Sequence, residues 1–197
     1  MNEFSAVKCR FSSLSFAFIL TFSSSVGQTF FISLFAAEIQ NELSLTHGSF
    51  GLLYTCVTFT SALIFLWLGK STDKYNLFNL AIFTLLGLAI CGFLVSVATD
   101  IILFSVAIFG LRLLGQGELG HIAVTAMARW YSFHRGKAVS VASVGFSMGE
   151  ALLPVIVSFC LMFLTWREIW LSVSIILIAG ICPLIFMFSY NIRERLV

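Results

Sequence analysis

The stretch IILFSVAIFGLRLLGQGELGHIAVTAMAR, residues 101–129, decides the fold. From Ile101 to Ala128 it reads as a helix in lipid, because about 20 apolar residues at 1.5 Å each cross a ~30 Å hydrocarbon core. Yet Arg112, Gln116, Glu118 and His121 lie inside the run. Charges at membrane depth are costly unless paired or hydrated, so Arg112 and Glu118 here, with Glu150 in the next run, are functional candidates by default. Working outward, similar apolar runs occur at about 14–37, 49–68, 78–98, 138–164 and 169–190. Polar junctions separate them, several very short, so consecutive helices run antiparallel. The expected fold is an all-α membrane protein of six transmembrane helices. The bundle fills 14–190, between a cytoplasmic N-terminal segment, 1–13, and the start of a cytoplasmic linker, 191–197.

Composition supports lipid as the solvent for this surface. Hydrophobic residues make up 59% and charged residues 10%, with mean hydropathy +1.03 and 22 phenylalanines. A soluble domain carries about 25% charged residues. A net charge of +2 gives no reason to expect a nucleic-acid partner. Cys9, Cys56, Cys91, Cys160 and Cys182 form no C-x-x-C pair and no zinc spacing, so neither a disulfide, a metal nor a cofactor is expected. Lys8 and Arg10 precede the first apolar run as in a secretory signal. That run is longer than a signal's 7–15 apolar residues and reads as an uncleaved span.

Orientation follows from lysine and arginine in the short loops. Lys8, Arg10, Lys70, Lys74, Arg129, Arg135, Lys137, Arg193 and Arg195 fall on one side and Arg167 on the other. Both termini are therefore expected in the cytoplasm, and the cell (inner) membrane is the expected location.

Arg112 lies ~17 Å from the outer end of its helix and Glu150 ~20 Å from the inner end of the next, so both approach the midplane. An Arg112–Glu150 pair facing a cavity is expected, with a static ion pair locking two helices as the plainer reading. Glu118 and His121 share a face nearer the cytoplasm, where His121 is either a proton relay or a packed histidine. Gln28 lies among Ser23, Ser24, Ser25 and Thr29, a polar patch that should face protein or water. Gly145 and Gly149 form a small-xxx-small pattern for close helix packing, and Pro154 predicts a kink.

Several of these patterns together resemble the major facilitator superfamily. Gly69-Lys-Ser-Thr-Asp73-Lys74, between the second and third spans, matches the opening of that family's loop signature. Its later glycine and closing basic pair are replaced by Asn76, Phe78 and Asn79. Arg112-Leu-Leu-Gly-Gln116-Gly117, Arg135-Gly136-Lys137-Ala138, Gly145, Gly149, Pro154 and Trp166-Arg167 are similar to family patterns in the right order. The resemblance implies inverted three-helix repeats, and Gly27-Gln28 and Gly115-Gln116 occupy matching depths in the two. It also implies that Gly69, Asp73 and Lys74 belong to a gating loop. A second six-helix bundle is expected from a missing C-terminal half, a separately encoded half or a second copy.

The function so implied is a secondary active transporter, or its N-terminal half, working by alternating access. Its partners are then a small-molecule solute, protons and the bilayer. Arg112 tilts the solute toward an organic anion, Glu150 is the candidate proton carrier, and Gln28 and Gln116 are neutral contacts. The alternatives are a non-transporting scaffold or receptor and an intramembrane enzyme built on Glu118, Glu150 and His121. For the enzyme, neither an H-E-x-x-H nor a G-x-S-x-G element is present.

Overall fold

A computed structural model describes the backbone of residues 3–196 and the side chains of 11–190. Lys8, Arg10, Arg193 and Arg195, part of the charge asymmetry, lie outside the described side chains. The described backbone is helical and contains no strand. It runs as α1 (Glu3–Ser24), a 3₁₀ turn (Ser25–Gly27), α2 (Thr29–Ser33), α3 (Ala36–Glu42) and α4 (His47–Leu68). Next come α5 (Ser71–Lys74), α6 (Leu77–Val97), α7 (Ile101–Gly110), a π-helical segment (Leu111–Leu119) and α8 (Gly120–Trp130). The chain ends with α9 (Arg135–Cys160), α10 (Trp166–Ile175), a second π-helical segment (Ile176–Ile181) and α11 (Cys182–Leu196).

Five described helical stretches are long and apolar enough to cross a membrane: His47–Lys74, Leu77–Val97, Ile101–Trp130, Arg135–Cys160 and Trp166–Tyr190. The expected first span is not one continuous helix. Its apolar helical part, Phe11–Gly27, is shorter, and Gln28 is extended at φ −81°, ψ 153° before α2 begins. The serines explain the weakness. Ser23 Oγ donates to Ile19 O and Ser24 Oγ to Thr21 O, turning toward the backbone just where the helix tightens and breaks. The helix containing Pro154 is continuous from Arg135 to Cys160, and α11 runs on through the stretch expected to open a linker.

Short polar caps set where helices restart. Asp100 accepts from the Ile102 and Leu103 amides, each at 2.9 Å, and opens α7 directly after the turn from α6. Thr165 and Glu168 form a capping box at the start of α10. Two aromatic clusters fill the ends of the bundle. Phe16, Phe78 and Trp130 meet near one end, and Phe31, Phe35 and Trp170 near the other.

The helices are not equally enclosed. α1 packs along α8 and α9, and α6 packs along α10, burying ten of its own residues. α4 buries only Ser61. α9 buries a narrow face of Ala138, Ala142, Gly145, Gly149 and Val157. One flank of the bundle, walled by α4 and α9 with Arg112 between them, is therefore open.

Candidate functional site

The site begins where the broken first helix crosses the π-helical segment. A Cβ built on Gly27 would come within 2.8 Å of Gly115 Cα, and one on Gly115 within 2.7 Å of Gly27 Cα. Backbone thus lies on backbone, which only glycine permits. The two dipeptides matched by depth in the sequence, Gly27-Gln28 and Gly115-Gln116, meet at this crossing. The π turn has a wider backbone than an α-helix, a form that recurs at functional sites. Here it carries Arg112, Gln116 and Glu118.

Arg112 is only 6% exposed. Its Nη1 donates to Gly27 O at 3.2 Å and to Thr29 Oγ1 at 3.1 Å, and its guanidinium carbon lies 5.4 Å from the Tyr54 ring centroid. Tyr54 Oη in turn donates to Thr29 Oγ1 at 3.2 Å. Arg112 Nε is buried with no acceptor among the described residues. The expected Arg112–Glu150 pair is not formed: the described salt bridges join Asp73 to Arg129 and Glu42 to Arg167. Glu150 instead lies exposed with Ser140, Ser143 and Ser147. Their spacing of three, four and three puts them on one face of α9. The opposite face carries Gly145, which packs on α1 at Thr21, and Gly149, which packs on the 3₁₀ turn at Ser25.

Two cavities meet at Arg112. One, of about 420 Å³, reaches Thr29, Tyr54, Thr55 and Phe59. The other, of about 490 Å³, runs past Gln116, Gly117 and Gly120 to His121 and is bounded by Phe65 of α4 and Phe146 of α9. Thr58 lines both, and its Oγ1 is also buried without a partner among the described residues. Gln116 is exposed on the cavity wall, and Gln28 is half-buried at the helix break.

Glu118 and His121 do come together with the expected gating loop. Glu118 is 1% exposed, and its Oε1 accepts from Ser71 Oγ at 2.7 Å. Its Oε2 has no partner among the described residues. His121 Nε2 is 3.2 Å from Thr72 Oγ1, and its ring meets Phe65 edge-on. Asp73 pairs with Arg129, whose Nη1 also donates to Thr72 O at 2.8 Å. Ser71, Thr72 and Asp73 therefore each hold a different residue of the same long helix. Lys74 is exposed, and Gly69 caps α4 beneath the Phe65 ring.

The sequence reading did not single out Tyr54, Thr58, Phe65, Phe146 or Ser71. Tyr54, Thr58 and Ser71 left a signal, as hydroxyls at or beside membrane depth. Arg112 itself was legible, but its partners are carbonyl, hydroxyl and ring rather than a carboxylate.

No curated protein matches the chain. A family model described as Major Facilitator Superfamily matches residues 17–195. That match takes in the five described membrane-length stretches, the crossing at Gly27 and Gly115, and the loop held by Glu118, His121 and Arg129. The chain belongs to the major facilitator superfamily and is an integral membrane protein of a transporter family.

Proposed function

We propose that this chain is a secondary transporter, or one half of one, that moves a small organic anion by alternating access around Arg112. The observation that carries this reading is a buried guanidinium with no carboxylate against it among the described residues. Neutral acceptors and a tyrosine face offset part of its burial cost, and an anionic ligand would offset the rest. The open flank between α4 and α9 supports a second bundle as the missing wall of the passage. In this reading the interrupted first segment makes a sixth crossing, and the end carrying Ser71–Lys74 faces the cytoplasm of the inner membrane. Gln28 and Gln116 are neutral contacts for the solute. Glu150, on the open polar face, remains the proposed proton carrier, and Glu118 with His121 links the loop to the π turn.

The test is uptake of labelled small carboxylates into liposomes holding the purified chain, with an inward proton gradient. Saturable uptake that Arg112→Gln removes, while the variant inserts normally, is the expected result. Uptake indifferent to Arg112→Gln would contradict the reading.

A further inference from the structure

We infer that the anion taken by this site is an amphipathic monocarboxylate, held with its carboxylate on Arg112 and a flat apolar body against Phe65 and Phe146. This rests on the anion reading above and narrows it to a substrate class. The larger cavity, about 490 Å³, lies within the ~300–1,000 Å³ usual for small-molecule sites. Its chemistry changes along its length. Around Arg112 stand the buried unpartnered Nε and Thr58 Oγ1, with Gln116 beside them. Toward His121 the wall becomes Phe65, Phe146 and Val124.

Two glycines shape that apolar end. A Cβ on Gly117 would come within 2.9 Å of Phe65 Cδ2, and one on Gly120 within 2.9 Å of Phe146 Cζ. A ring from each neighbouring helix therefore rests directly on bare backbone of the π-helical segment and the start of α8. From Arg112 to Gly117 and Gly120 is roughly 7–12 Å along the helix, which separates a carboxylate from a ring by a short alkyl spacer.

The same lining argues against a second anionic group. The other ionisable side chain on this wall, His121, has its Nε2 engaged with Thr72 Oγ1 and its ring against Phe65. A second carboxylate would lie between aromatic rings with no permanently charged side chain to receive it. A very short carboxylate would satisfy Arg112 but leave both rings uncovered.

The test is equilibrium binding to the purified full chain in lipid nanodiscs, with three probes that share a two-methylene spacer: 3-phenylpropanoate, succinate and 3-phenylpropanol. The expected order places 3-phenylpropanoate at least about tenfold tighter than either of the others. Phe146→Ala should remove about tenfold of that affinity and Phe146→Leu less, while Arg112→Gln removes about thirtyfold or more. Gel-filtration profiles matching the parent's establish that the variants are folded. Succinate binding as tightly as 3-phenylpropanoate, with both dependent on Arg112, overturns this inference and leaves the anion reading standing. Binding of every probe unaffected by Arg112→Gln, or absent throughout, overturns both.

Discussion

At the scale of single residues, the crossing of Gly27 and Gly115 constrains the chain most tightly, because the atoms in the way are backbone. Gly27→Ala or Gly115→Ala must separate two helices, an overpacking cost of about 1–3 kcal/mol or more. Gly51→Ala adds a methyl where nothing lies within 4 Å and should be neutral or slightly stabilising. Thermal unfolding in detergent should show both crossing variants melting well below the parent and Gly51→Ala at or above it. Equal melting for all three would mean the crossing is loose. The crossing was legible as a repeated dipeptide, and Arg112 as a charge in an apolar run. The partner of Arg112 was not legible, for a geometric reason. Depth along a helix can be counted from sequence, but azimuth depends on packing. Arg112 and Glu150 approach similar depths, yet α9 turns Gly145 and Gly149 toward α1 and so turns Glu150 outward. Phe65 and Phe146 were hidden for another reason. In a chain with 22 phenylalanines, a cavity ring looks the same in sequence as exposed Phe83 or Phe93.

At the scale of elements, each end of the bundle has its own fastening. Ser71, Thr72 and Asp73 fasten the α5 loop to the helix carrying Glu118, His121 and Arg129. Ser71→Ala leaves both Glu118 oxygens without a hydrogen bond among the described residues, a loss of about 1–3 kcal/mol for a buried polar group. Hydrogen exchange over residues 69–76 should quicken in Ser71→Ala, and an unchanged rate would show that the contact holds nothing. The loop signature was readable from Gly69 to Lys74, whereas its docking on Glu118 needed the relative rotation of two helices. At the other end Arg167 binds Glu42 at 2.7 and 3.0 Å and also donates to Ser96 O, while Trp166 Nε1 donates to Glu42 at 2.9 Å. The hydrogen bonds from Arg167 come first in holding the Glu42 carboxyl below its ordinary 4.5, aided by Trp166 and opposed by desolvation. A lowered carboxylate pKa stabilises the fold above the ordinary value and loses that contribution as pH falls through the lowered one. Acidification from about pH 6 to about pH 3 should therefore lower the melting temperature more in the parent than in Glu42→Gln. Parallel curves would remove the clamp from the stability of the fold.

At the scale of the whole molecule, the unequal enclosure of the helices joins fold to function. α6 is packed into the bundle, whereas α4 and α9 leave most of their surface outside. An all-helical membrane fold was legible from apolar length and short capped turns. The interruption at Gln28 was not, because a polar patch inside an apolar run does not reveal whether the helix bends, breaks or continues. The exposed face of α9 presents Ser140, Ser143, Ser147 and Glu150, and the cavity face of α4 presents Thr55 and Thr58. Such a surface suits water or a second bundle and does not suit hydrocarbon. The most direct measurement is cysteine scanning of these positions in a background without native cysteines, using a charged, membrane-impermeant thiol reagent on the chain in liposomes. Thr58, Gln116, Ser143, Ser147 and Glu150 should label in a helical rhythm, and Phe83 and Ile90 should not. Labelling at Phe83 and Ile90 equal to that at the polar stripe, or none at the stripe, would contradict a wet passage beside Arg112.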